Sequence, residues 1–268
     1  MNNFFRITSR RNPFLNEVLE LATPEGRQEK GLCFAEGFAA AEFIAKLEKG
    51  RVQAVILSED ASEKNLQLAE KFAKGGSKAY LLTPECYAKI SALRHPEGLG
   101  LLVTLPEPIP NTEALPKNAP VACLWQLQDP GNLGTIVRSA AAFGCRDFLL
   151  VTPSVSPFHP AALRSSAGAA LQSHFLFLPE NEALDYLSAQ GKRVVALSGD
   201  GDELTGEICY NKSDALVVSG NEAHGLPLTV RKALPLYSFT MKGKVESLNV
   251  TAASAIAYYL FWSQPTKK

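Results

Sequence analysis

Residues 121–144 read VACLWQLQDPGNLGTIVRSAAAFG. The run that ends at Gln128 opens almost wholly apolar, as a strand buried on both faces must be. A Pro-Gly turn follows at Pro130-Gly131, and then a stretch with helical spacing that Gly144 stops. Strand, tight turn and helix in that order form the first half of a βαβ unit, which predicts a parallel sheet with helices on both faces.

The same alternation continues downstream. DFLLVT (147–152) reads as a strand, HPAALRSSAGAAL (159–171) as one helix, FLFL (175–178) as a strand and NEALDYLSAQG (181–191) as a helix. RVVALS (193–198), ALVVSG (215–220) and LYSFTM (236–241) are strands, and SLNVTAASAIAYYLFW (247–262) is a long terminal helix. Ligands of such sheets sit beyond the carboxyl ends of the strands. The loops after Gln128, Ser198, Gly220 and Met241 are therefore where a site is expected.

Upstream, residues 106–119 hold four prolines and little apolar pattern, which reads as a semi-stiff linker. Residues 1–105 form a second, smaller α/β pattern. Its helices are expected at 13–21, 38–50, 61–76 and 84–93, and its strands at 32–35, 52–58, 78–83 and 98–105. Two domains, 1–105 and 120–268, agree with a chain of 268 residues, because single domains usually run to roughly 100–200.

Composition is that of an ordinary globular protein, with 46% hydrophobic and 20% charged residues. No apolar stretch of about 20 residues is present, so no membrane-spanning helix is expected. The opening, MNNFFRITSRRNPFLNE, lacks the apolar core and cleavage site of a signal peptide. Five cysteines (Cys33, Cys86, Cys123, Cys145 and Cys209), odd in number and without a CxxC pair, imply neither a disulfide framework nor a zinc ribbon. A reduced, cytoplasmic protein is expected. Basic and acidic residues number 27 each, so net charge gives nucleic-acid binding no support without excluding it. Arg6, Arg10 and Arg11 form the best candidate basic patch near the start, for which a solvated tail is the plainer reading.

Three constellations could carry chemistry. In the first, Gln128-Asp129-Pro130-Gly131-Asn132 leads into a helix bearing Arg138; Asn132 is able to cap that helix, and Arg138 emerges from apolar neighbours. In the second, the strand Val217-Val218-Ser219 runs into Gly220-Asn221-Glu222-Ala223-His224-Gly225, where glycines allow a ligand close to the backbone. In the third, Met241-Lys242-Gly243-Lys244-Val245-Glu246-Ser247-Leu248-Asn249 precedes the last helix, with Ser247 and Asn249 around its N-terminus and a plain serine cap as the simple alternative. Neither GxGxxG nor GxxxxGK follows a first strand, which counts against a nucleotide-dependent oxidoreductase.

Taken in order, DPGNLGTIVRSA, SGNEAHGL and VESLNVTAASA resemble the three motifs of the SpoU (TrmH-like) family of RNA ribose 2'-O-methyltransferases, within the SPOUT superfamily. The resemblance covers roughly residues 121–261, and CFAEGFAAAEFI resembles the entry to the family's frequent N-terminal substrate-binding domain, which is related to a ribosomal-protein fold. It implies S-adenosylmethionine as cofactor, a C-terminal trefoil knot, a homodimer, and structured RNA as partner, with ribosomal RNA preferred and transfer RNA the alternative. No DNA or membrane partner is implied, and a non-catalytic RNA-binding relative is the remaining rival. The family's catalytic positions fall on Asn132, Arg138, Glu222, Ser247 and Asn249; cofactor contacts fall on Ser198, Gly220, Phe239, Met241, Leu248 and Asn249. One departure is His224, which stands with Ala223 where the second motif usually carries a further glycine. The stretch Leu163-Arg164-Ser165-Ser166-Ala167-Gly168 resembles another family segment, either an RNA-facing or interface element or a helix packed by small residues. No metal is needed, since His95, His159, His174 and His224 show no ligand spacing.

Overall fold

The structure is a computed structural model describing residues 4–47, 50–110, 115–116, 119–189, 191–205, 215–245 and 247–263. Cys209, Glu246 and part of the proline-rich linker lie outside the described residues. The chain divides into two compact units, Met1–Pro106 with Ser156–Gln172 and Glu107–Val155 with Ser173–Lys268.

The first unit holds five strands, β1 (Phe5–Ile7), β2 (Leu32–Glu36), β3 (Val52–Ser58), β4 (Lys78–Leu82) and β5 (Leu99–Thr104), in the order β1-β4-β3-β5-β2. The first three of that order are parallel, while β5 runs antiparallel to both neighbours. One face buries Ile7, Phe34, Ile56 and Leu82 against Leu15 and Val18 of the helix Pro13–Glu20 and against its C-cap Leu21. Two elements escape the sequence reading for physical reasons. Strand β1 has three residues, too few to show alternation. The helix Pro24–Lys30 is almost wholly polar and is set by its Thr23 cap and Pro24 rather than by an apolar stripe. Arg6 consequently lies on a paired strand and not in a solvated tail, its Nε donating to Glu59 at 2.7 Å.

The expected single helix over 159–171 is broken. A helix spans Pro160–Ser165, Ala167 and Gly168 take φ of 49° and 83°, and a 3-10 turn covers Ala169–Gln172. The small residues permit the bend. A Cβ on Gly168 would stand 3.2 Å from the Phe43 ring and 3.3 Å from the Ala40 carbonyl oxygen.

In the second unit six parallel strands, β6 (Val121–Trp125), β7 (Asp147–Thr152), β8 (His174–Pro179), β9 (Val194–Glu203), β10 (Leu216–Ser219) and β11 (Leu236–Ser238), take the order β11-β9-β10-β6-β7-β8. Strands β6, β7 and β10 are buried nearly throughout, which is why they read as apolar runs. Strand β9 runs past Ser198 to Glu203, farther than its apolar part. The helices Pro130–Ala142 and Val250–Trp262 pack together on one face. Tyr258 stacks on Trp262, and the hydroxyls of Ser219 and Ser254 meet at 2.7 Å. The strand order reverses between β6 and β10, the topological position where parallel α/β sheets bind ligands.

Candidate active site

Beyond the carboxyl ends of β10 and β11, and beside the middle of β9, the chain forms an open cavity of about 310 Å³, within the range of roughly 300–1,000 Å³ typical of small-molecule sites. Phe239, Met241, Leu248 and Leu226 supply apolar wall; Ser198, Asn221 and Ser247 supply polar groups. Five of the six residues carried over as cofactor contacts line it: Ser198, Gly220, Phe239, Met241 and Leu248.

Gly220 is required by close approach of backbone to backbone. A Cβ there would fall 2.5 Å from the Gly225 carbonyl carbon and 2.7 Å from the Leu226 nitrogen. The turn it enters is closed by paired backbone bonds between Asn221 and Gly225 of 3.0 and 2.9 Å. Asn221 Oδ1 accepts from the Ala223 and His224 nitrogens, and its Nδ2 donates to the Gln126 carbonyl at 2.8 Å. Sequence reading passed over Asn221, although an asparagine opening a glycine-closed loop is the signal for such an Asx turn.

Glu222 ties this loop to the one after β6. Its carboxylate accepts from the Gln128 nitrogen at 3.3 Å, the Asp129 nitrogen at 3.1 Å and Asn132 Nδ2 at 3.2 Å. The helix that follows, Pro130–Ala142, is capped by Asp129, whose Oδ1 accepts from the Asn132 nitrogen at 2.7 Å. The cap expected at Asn132 is therefore three residues earlier. The reason is geometric: a side-chain acceptor reaches the third helical N–H from the cap position, and Asn132 occupies that third position itself. Arg138 stands about two turns into the helix, exposed, with no hydrogen bond or ion pair to any described residue.

At the third constellation the cap is Asn249 and not Ser247: Asn249 Oδ1 accepts from the Thr251 nitrogen at 2.8 Å. That commitment takes Asn249 out of the cavity lining, whereas Ser247 lines it and bonds to no described residue. On the opposite wall, the Ser198 hydroxyl and the Arg231 guanidinium bond to Asp200 and hold its carboxyl below the usual range. His224 is exposed and lies outside the lining, although its neighbours Ala223 and Gly225 belong to it. Tyr237, Val250 and Ala253 also line the cavity, and the sequence reading gave none of them a role, although the third motif contains Val250 and Ala253.

A parallel sheet covered on both faces, with an open pocket formed by β9, β10, β11 and the loops after β10 and β11, is the arrangement of an α/β protein that binds a small molecule. Residues 120–259 match the SpoU rRNA Methylase family. An uncharacterized tRNA/rRNA methyltransferase of Synechocystis sp. is 31% identical over 94% of this chain and 92% of its own. The 23S rRNA (guanosine(2553)-2'-O)-methyltransferase RlmP of Bacillus subtilis is 26% identical over 95% and 98%. The crystal structure of an RNA 2'-O ribose methyltransferase superposes with a TM-score of 0.79 at 25% identity, over 97% of this chain and 99% of the other. The AdoMet-bound rRNA methyltransferase from Sinorhizobium meliloti shares the fold, with a TM-score of 0.77 at 21% identity over 96% and 97%.

The chain belongs to the SpoU rRNA methylase family and is an S-adenosylmethionine-dependent RNA methyltransferase. The cavity fits that cofactor: apolar walls suit a purine and a thioether chain, the hydroxyls of Ser198 and Ser247 suit its polar groups, and Gly220 leaves backbone accessible.

Proposed function

We propose that the protein methylates a ribose 2'-hydroxyl of ribosomal RNA, with Arg138 as the residue that acts on the hydroxyl. The observation carrying this reading is Glu222, which from the cavity rim holds the loop that starts the Arg138 helix. Cofactor site and candidate catalytic group are thereby referred to one frame.

When bound, S-adenosylmethionine supplies a methyl group on a sulfonium, so the protein's task is alignment and charge stabilisation. Arg138 offers up to five N–H donors to the 2'-oxygen as charge develops and to an adjacent phosphate. A guanidinium holds its proton too tightly to act as the base, so the hydroxyl proton passes to phosphate or water. Asn132 spends its amide nitrogen on Glu222 and keeps its carbonyl oxygen to accept from a ribose hydroxyl. Ser247 orients bound groups from the cavity wall, while Asn249 acts through the helix start it caps.

The proposal includes the family's trefoil knot, a homodimer, and residues 1–105 as a ribosomal-protein-like RNA-binding domain joined by 106–119 to the methyltransferase domain 120–268. Exposed Ile256 and Tyr259 on the last helix support a partner chain. A reducing cytoplasm suits the thiols of Cys33 and Cys145, which burial pushes up to about 12 and so keeps from reacting as thiolates.

The test is incubation with tritiated S-adenosylmethionine and total RNA from cells lacking the gene, followed by size separation and nucleoside digestion. Label in a 2'-O-methylnucleoside from ribosomal RNA is expected. Label confined to transfer RNA moves the substrate to the alternative, and label on a base overturns the ribose assignment.

A further inference from the structure

A second cavity, of about 340 Å³, lies in the first unit. Its floor follows from register. Arg6 pairs with Leu81 across β1 and β4, and Leu57 pairs with Leu81 across β3 and β4. Residues opposite one another in a sheet point to the same face, so Arg6, Leu81 and Leu57 form one row, on the face opposite Ile7 and Leu82. Leu66, from the helix Glu63–Lys74, and Ala61 close the slot over that row. Glu59 stands at its rim, its backbone fixed by a 2.9 Å bond to the Leu82 carbonyl.

The rim pair is only partly used. Arg6 spends Nε on Glu59 Oε1 at 2.7 Å, which leaves the two terminal nitrogens of Arg6 and Oε2 of Glu59 free for a ligand. An apolar slot edged by paired donors and acceptors suits a flat heterocycle that presents both in turn. Guanine does: its O6 accepts, and its N1–H and N2–H donate to a carboxylate. Adenine presents a donor where Arg6 needs an acceptor. RNA recognition in unpaired regions uses bases splayed out of the stack in this way.

We propose that the slot between Arg6, Glu59, Leu57 and Leu81 binds an unstacked guanine base of the RNA substrate. The assignment rests on the RNA-methyltransferase reading above and adds a base-reading site in the first unit.

The full-length protein would be titrated by fluorescence anisotropy with end-labelled UUGUU, UUIUU and UUAUU, where inosine lacks the N2 amino group. UUGUU is expected to bind about tenfold tighter than UUAUU, with UUIUU between them. Glu59→Gln and Arg6→Met should each abolish that preference while S-adenosylmethionine affinity, read by calorimetry, stays as in wild type. Equal binding of the three pentanucleotides, or a guanine preference that survives both variants, overturns the proposal. Unlabelled GMP competing as well as unlabelled UUGUU assigns the slot to a free nucleotide and overturns RNA as the source. Methyl transfer to ribosomal RNA, assayed in parallel, separates the two readings: transfer without base preference sinks the slot alone.

Discussion

The two sides of the methyltransferase site are built differently. Where the loop after β10 meets the loop after β6, Glu222 makes three hydrogen bonds although it is exposed, and Asn132, Asp129 and Asn221 are all committed to partners. By contrast, the side chains of Arg138, farther along the helix that Asp129 caps, and of Ser247 on the cavity wall bond to no described residue. The committed groups fix geometry before any ligand arrives, and the uncommitted ones have donors to spend on a substrate. A carboxylate drawn as catalytic from the sequence, Glu222, thus sits on the scaffold side of that division.

Substitutions can break or sharpen this contrast. The largest effect is expected at Gly220→Ala, because its Cβ would press on the Gly225 and Leu226 backbone. The loop must shift, at about 1–3 kcal/mol of stability, and calorimetry should find S-adenosylmethionine binding lost. Glu222→Gln comes next. Charge-assisted bonds to two backbone N–H groups weaken, and kcat should fall about 10–100-fold with little change in cofactor Kd. If Glu222 and Asn132 act as one unit, Asn132→Ala added to Glu222→Gln should cost less than the two separately, as a double-mutant cycle would read. Asn249→Ala removes a cap and should cost about 1 kcal/mol in denaturant unfolding. A full loss of activity with no stability change would instead place Asn249 on the ligand side.

The smallest effect concerns a carboxylate of the opposite kind. Glu36 in the first unit is 1% exposed with Oε1 unpartnered, and burial raises its pKa above the usual range against weaker pulls from Ser91 and Arg164. A folded-state pKa above the unfolded value gives stability that is present below about pH 4.3 and lost as pH rises through the folded pKa. Glu36→Gln, which cannot ionise, should therefore show a slightly higher Tm than wild type at pH 8 and none of that gain at pH 4.

The parallel sheet was legible because strands covered on both faces must be apolar throughout, as in Val121–Trp125 and Leu216–Ser219. The carboxyl-end rule likewise brought Gly220 and Met241 to one cavity from loops far apart in sequence; Ser198 lines the same cavity from within β9, which runs on past the loop expected there. What stayed hidden had no period to show. The helix Pro24–Lys30 is polar, β1 is three residues long, and the break at Ala167-Gly168 depends on how closely Phe43 approaches. Capping was misplaced for a related reason. Asp129 and Asn132, like Ser247 and Asn249, are chemically competent caps a few residues apart, and only the backbone path chooses between them.

The measurement that tests the account most directly is a paired assay of Arg138→Ala: cofactor Kd by calorimetry and transfer of tritiated methyl to ribosomal RNA. With Arg138 outside the cavity lining and committed to no described residue, the account predicts a Kd within about twofold of wild type and transfer reduced about a thousandfold. Transfer at the wild-type rate would contradict it.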